Sequence, residues 1–206
     1  MWAARRISTP HTGKAEMAKT RMRAAAGIIA RNGALGVATT QVVAGYGAGS
    51  MHLYSYIEGM GHGAEVSSRL MTDPSWAALM ADREASPSAE VVGPEIGRLV
   101  AGTPDPSNTA MLAREWIMPR ENMQAAADMV PELQKMTSAQ HVNTTMWAPV
   151  VGSDMSRITV VYSAADLIAL GKGVDGVGMS AEFQAMVVEA SKLGKLDRAW
   201  TMVTFQ

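Results

Sequence analysis

The stretch TTMWAPVVGSDMSRITVVY, Thr144 to Tyr162, follows the same plan as TTQVVAGYGAGSMHLYSYI, Thr39 to Ile57. Each has a Thr-Thr pair, a turn of small residues and a second apolar run. Placing Thr39 on Thr144 carries Gly47 onto Gly152 and His52 onto Arg157. Further out, AARRISTP (Ala3–Pro10) lies over LAREWIMP (Leu112–Pro119), matching Arg5 with Arg114, while DPSWAALM resembles SAEFQAMV with Trp76 over Phe183. Likeness carried through a whole chain in this way signals an internal duplication. Residues 1–102 and 110–206 read as two repeats, and the Pro, Gly and Asx content around 103–109 reads as a linker.

Each repeat gives the same order of elements. In the second, Met111–Met118 is strand-like and closed by Pro119, and the spacing of Met123, Ala126, Ala127, Val130 and Leu133 predicts a helix that Pro131 kinks or restarts. Strands follow at Thr144–Val151 and Arg157–Tyr162, a helix from about Ala164, another capped by Ser180, and a last strand in RAWTMVTF. The first repeat predicts a strand at Ala3–Ser8 and a helix at Lys14–Arg31 stopped by Asn32-Gly33. Strands are then expected near Val37–Ala44 and Met51–Ile57, a helix opens at Asp73-Pro74, and a final strand runs near Glu95–Val100.

The order β-α-β-β-α-β is the ferredoxin-like unit, an antiparallel sheet with helices on one face. The fold class expected is therefore α+β, two tandem ferredoxin-like repeats whose sheets face each other as an intramolecular α/β barrel. In element order and duplication the chain resembles the dimeric α/β-barrel superfamily, in particular tandem members such as NIPSNAP-type proteins and antibiotic-biosynthesis-monooxygenase-like domains. That resemblance implies a setting that hosts cofactor-free oxygenases, isomerases and haem enzymes, so it does not identify a reaction.

Alternation along a strand decides which side chains share a face. His52, Tyr54 and Tyr56 alternate with Leu53, Ser55 and Ile57, and the more polar set suits an inner face. A pocket of Arg114, Arg157, His52, Tyr54, Trp147 and Trp200 would suit a small aromatic or anionic compound, with His52 and Arg157 as candidate catalytic residues and the others as ligand-binding. The competing reading is a structural network in which Arg114 or Arg157 pairs with Glu115 or Asp154.

Other motifs carry little. His11, His52, His62 and His141 are scattered without metal-ligand spacing, so no metal site is expected. His62, in the glycine-rich GMGHGAE, reads as an exposed loop residue. GYGAG (Gly45–Gly49) joins two strands instead of opening a helix, which removes the dinucleotide reading. No cofactor is expected; haem enters only through the resemblance, with His52 as the axial ligand it would use.

Composition excludes further classes. A net charge of −1 gives no footprint for nucleic acid or an anionic membrane. No apolar run approaches the ~20 residues of a membrane span. The chain has no cysteine, which removes disulfides and thiolate sites and points to the cytoplasm. The start MWAARRISTP has no apolar core of a secretory signal. Two functions follow as expectations: metal-free binding or transformation of a small metabolite in the cleft between the sheets, or self-association of a structural protein into a homo-oligomer.

Overall fold

Apolar residues at helical spacing build the first core. In α1 (Ala15–Arg31), Ala18, Met22 and Ile29 are buried along one stripe, and the helix stops at Asn32, followed by Gly33 in the left-handed region at φ +103°. The stripe packs on Met51 and Leu53 of β3 (Met51–Ile57), with Val66 and Leu70 of α2 (Met60–Thr72) and Leu79 of α3 (Pro74–Ala85) closing the same cluster. Asp73 caps α3 by accepting from the Ser75 amide, with Pro74 in its first turn, as the sequence predicts.

These elements belong to the first of two compact units of the computed structural model, which describes residues 1–205. The first unit takes in Met1–Val42, Gly49–Gly97 and the C-terminal residues Thr204 and Phe205; the second takes in Val43–Ala48 and Arg98–Val203. In the first, β1 (Trp2–Pro10), β2 (Gly36–Gly45), β3 and β4 (Ala89–Ala101) lie in the order β4-β1-β3-β2. Phe205 lies beside β2, its amide donating to the Thr39 carbonyl, and the cations of Lys19 and Arg23 of α1 lie over its ring.

The second unit repeats the order with β5 (Ala110–Ile117), α4 (Met123–Ser138), β6 (Asn143–Val151), β7 (Arg157–Ala164), α5 (Leu167–Gly178), α6 (Ala181–Leu193) and β8 (Lys195–Thr204). Its strands lie as β8-β5-β7-β6, again the split β-α-β arrangement. Trp116, Met146, Ile158, Val160 and Tyr162 meet Val130 and Leu133 of α4, Leu170 of α5 and Phe183 of α6 in its core. Residues 103–109 carry no helix or strand.

Four expectations change. Residues from Met60 to Thr72 form α2 instead of a glycine-rich loop, because Val66 and Leu70 give that weakly helical stretch a face to bury. Helix α4 runs through Pro131 without a break, since Val130 and Leu133 on either side of it are both held in the core. The strand expected near Glu95 begins at Ala89. Finally, α5 starts at Leu167 under an Asp166 cap, because Ala164 still pairs with Ala110 in the sheet.

Two glycines are required by close backbone approach. At Gly45 (φ +84°) an added Cβ would meet the Ala199 carbonyl, and at Gly102 (φ +83°) it would meet the Thr144 carbonyl. Gly102→Ala should therefore cost about 1–3 kcal/mol in chemical denaturation; parental stability in that variant would show that the approach at Thr144 can relax.

Candidate functional site

Because helices cover one face of each sheet, the strand positions that alternate with the core residues carry the remaining chemistry. In the first unit Met51, Leu53 and Ile57 point to the helices, which puts His52, Tyr54 and Tyr56 on the other face. The register sets Ile7 opposite His52, Arg5 opposite Tyr54 and Ala3 opposite Tyr56 on that face, with Thr40 and Ala38 on the flanking strand.

His52 is 5% exposed. Its Nδ1 lies 3.1 Å from the Tyr54 hydroxyl and its Nε2 lies 3.5 Å from Ser50 Oγ, and the two rings meet edge to face with centroids 6.0 Å apart. Arg5 donates to Glu95 at 2.8 Å. Burial, helped by the charge of Arg5, pushes the His52 pKa down to about 3, so the imidazole is neutral at neutral pH. A base that weak is far from the operating range for proton abstraction. Its contact instead holds the Tyr54 hydroxyl on the face shared with Arg5 and Tyr56, groups whose chemistry is hydrogen bonding and ring stacking. Burial also raises the Tyr56 phenol, keeping it a neutral donor.

The equivalent face of the second unit holds an ion network. Glu115, 2% exposed, accepts from Arg198 Nε at 2.5 Å and lies 3.5 Å from Arg157 Nη1. Arg157 also reaches Asp154 at 2.9 Å and bonds to Asp197, while Arg198 covers the Tyr46 ring at 4.2 Å. The Asp197 hydrogen bond is the main influence raising the Arg157 pKa. Three carboxylates therefore engage Arg157, and a buried Glu115 without its arginines would be an uncompensated charge. This is the network geometry weighed against the pocket: Arg157 with Glu115 and Asp154. The adjacent Asp197-Arg198 pair is the partner that sequence reasoning missed, although two opposite charges on a strand edge were a visible signal.

Arg114 is a correction. It lies on the helix-covered face, its guanidinium 5.5 Å from the Tyr162 ring centroid and 5.9 Å from that of Phe183, and not beside Arg157. Arg5 sits opposite Tyr54 and Glu115 opposite Thr159, each two residues along the ladder from the pairs Ile7–His52 and Ile117–Arg157. In ladder position Arg5 thus corresponds to Glu115; matching it to Arg114 is one residue out of register, and one residue changes the face. Trp147 is on the face away from the helices and donates from its indole to Thr145 Oγ1 at 3.0 Å. Trp200 is buried opposite Ala113 on that same face. His52 and Tyr54 are together in the first unit, and Arg157, Trp147 and Trp200 are in the second.

His62 is a helix residue, not a loop residue: Nδ1 accepts from the Glu58 amide at 3.2 Å and Nε2 lies 2.9 Å from the Gly33 carbonyl. Among the described residues no group of three or more histidines or carboxylates could hold a metal ion, and no helix is long and apolar enough to cross a membrane.

No protein-family model matches the chain, and no curated protein does. Among solved structures, it is similar to an anthrone oxidase-like protein at 9% identity, with a TM-score of 0.65 over 100% of this chain and 91% of the other. It is similar to the encapsulated DyP-type peroxidase of Mycobacterium smegmatis (9% identity, TM-score 0.56, 98% of this chain and 92% of that one). A chlorite dismutase from Candidatus Nitrospira defluvii gives 9% identity and a TM-score of 0.55 over 100% and 91%. At such identities the likeness shows the fold alone, a mixed α+β fold of antiparallel strands and helices.

An axial haem ligand needs a ring nitrogen available over an open cavity. His52 and His62 have both ring nitrogens in contacts, and His11 and His141 lie at exposed turns. These residues do not fit an axial role, and no chemistry is assigned to haem.

The neutral His52 makes stability depend on acid. With a folded pKa of about 3 against an ordinary value of 6.5, the unfolded chain binds the proton first. Stability should thus fall as pH drops from about 6.5 toward 3, with a limiting slope of about 1.4 kcal/mol per pH unit from this one group. Urea midpoints measured across that window should show a shallower pH dependence in His52→Gln; an unchanged profile would remove His52 as the source.

Proposed function

We propose that the chain binds, and positions for reaction, a small aromatic and anionic metabolite against the Arg5–His52–Tyr54 face of the first unit, without a metal. The observation that carries this reading is the buried neutral imidazole 3.1 Å from the Tyr54 hydroxyl, with Arg5 paired across the ladder to that tyrosine. Imidazole fixes the hydroxyl, the hydroxyl and guanidinium address an oxygen-bearing group, and tyrosine rings supply apolar wall. The fold supports a small-molecule role without specifying it. Duplication of one unit to make two belongs to the same reading, supported by the shared strand order. So does a cytoplasmic location, supported by the absence of cysteine.

A second reading, self-association with another copy of this chain, has its own support. Helices α5 and α6 and the turn joining them expose Ile168 (72%), Met179 (84%), Val188 and Leu167, more apolar surface than a solvated helix pair needs.

Small molecules that co-purify from cell extract with the wild type, read by mass spectrometry, should include an aromatic acid at least about tenfold depleted in Tyr54→Phe, the loss of one hydrogen bond to a charged group. Equal recovery from both proteins would sink the ligand reading. For the assembly reading, light scattering should give a dimer or larger species that Ile168→Glu converts to monomer; a wild-type monomer at all accessible concentrations would end it.

A further inference from the structure

Where α1 ends, the chain places its one Asn-Gly pair, Asn32-Gly33. The fold asks for both residues. Gly33 lies in the left-handed region at φ +103°, where a side chain would be strained. Asn32 sets its side-chain amide between two acceptors, Nδ2 donating to the Ile28 carbonyl at 2.9 Å and to Asp73 Oδ2 at 2.7 Å. The Asp73 carboxylate thereby gathers Asn32, both donor nitrogens of Arg31 at 3.0 and 3.2 Å, and the Ser75 amide of α3. Hydrogen bonds from Arg31 and Asn32 hold the Asp73 carboxyl well below the usual carboxylate range, so this clasp between α1 and α3 is charged at neutral pH.

The same pair is chemically labile, because glycine has no side chain to shield its backbone nitrogen. That nitrogen attacks Asn32 Cγ, the Cγ–Nδ2 bond breaks with release of ammonia, and the cyclic imide takes up water to open as an aspartyl or isoaspartyl residue. One water is consumed and one ammonia leaves, with no oxidant or reductant. The folded chain opposes ring closure. At Asn32 ψ is 11°, which nearly eclipses the Gly33 nitrogen with the Asn32 nitrogen and turns it away from the Asn32 side chain. The peptide joining them is clamped at both ends, its N–H donating to the Ala30 carbonyl at 3.1 Å and its carbonyl accepting from Arg69 Nη1 at 3.4 Å. The next carbonyl, that of Gly33, lies 2.9 Å from His62 Nε2.

We propose that Asn32 is a site of spontaneous deamidation that the clasp between α1 and α3 suppresses, and that its conversion is a one-way step that loosens α1 from the start of α3. A carboxylate at position 32 has no hydrogen to donate, so its oxygens would face the Ile28 carbonyl and the Asp73 carboxylate as acceptor against acceptor. It would also add negative charge at the C-terminal end of α1, where the helix dipole is already negative. The cations at the clasp, Arg31 and Arg69, already serve Asp73 and Glu65.

Incubation of the full chain at mildly alkaline pH, folded or in urea, followed by proteolysis and mass spectrometry, reads the conversion of each asparagine. In urea Asn32 should convert faster than Asn108, Asn122 and Asn143, which precede Thr, Met and Thr. In the folded chain its conversion should be at least about tenfold slower than in urea. Asp73→Ala should speed native conversion of Asn32 more than Leu79→Ala, which weakens α3 from its core side and leaves the clasp in place. Separately, Asn32→Asp should lower the urea midpoint below that of Asn32→Ala, and adding Asp73→Asn to Asn32→Asp should recover part of the loss. Equal conversion of Asn32 in both conditions, no preference for it in urea, no greater rate in Asp73→Ala than in Leu79→Ala, or an Asn32→Asp chain as stable as Asn32→Ala overturns the proposal. Should Asp73→Ala fail to fold, the wild-type rates and the Asn32 variants decide the question by themselves.

Discussion

Everything in this protein follows from covering a sheet with helices on one face only. A strand sends successive side chains to opposite faces, so each residue is committed either to the helix-packed core or to the other side. Met51 and Leu53 go one way, His52 and Tyr54 the other. The same rule separates Ile158 and Val160 from Arg157 and Thr159. Hydrophobic burial sets the register, and the register then places the polar groups.

Polar groups on the face away from the helices meet the cost of burial in two ways. In the first unit the cost is met by neutrality: His52 gives up its proton and keeps its ring nitrogens in contact with Tyr54 and Ser50. In the second unit it is met by pairing, with Arg157 and Arg198 converging on Glu115 and Asp154 and Asp197 holding Arg157 from outside. The first solution leaves a hydroxyl and an aromatic surface that can address a ligand; the second consumes its charge internally. Similar element order in the two units thus meets the cost of burial in two different ways, and the fold alone does not carry a function.

By itself the sequence determined the element order, most strand positions and the caps at Asp73 and Ser180, because hydrophobic period and capping chemistry are local properties. It also marked His52 and Tyr54 as sharing a face, since period two needs no partner strand to be read. Tertiary structure alone decided that Met60–Thr72 is helical and that α4 continues through Pro131, because long-range packing outweighs local propensity there. It alone decided the face of Arg114, which depends on pairing register across strands nearly fifty residues apart in the chain. The partners of Arg157 were likewise legible only in three dimensions, since charge compensation depends on distance in space and not on order along the chain.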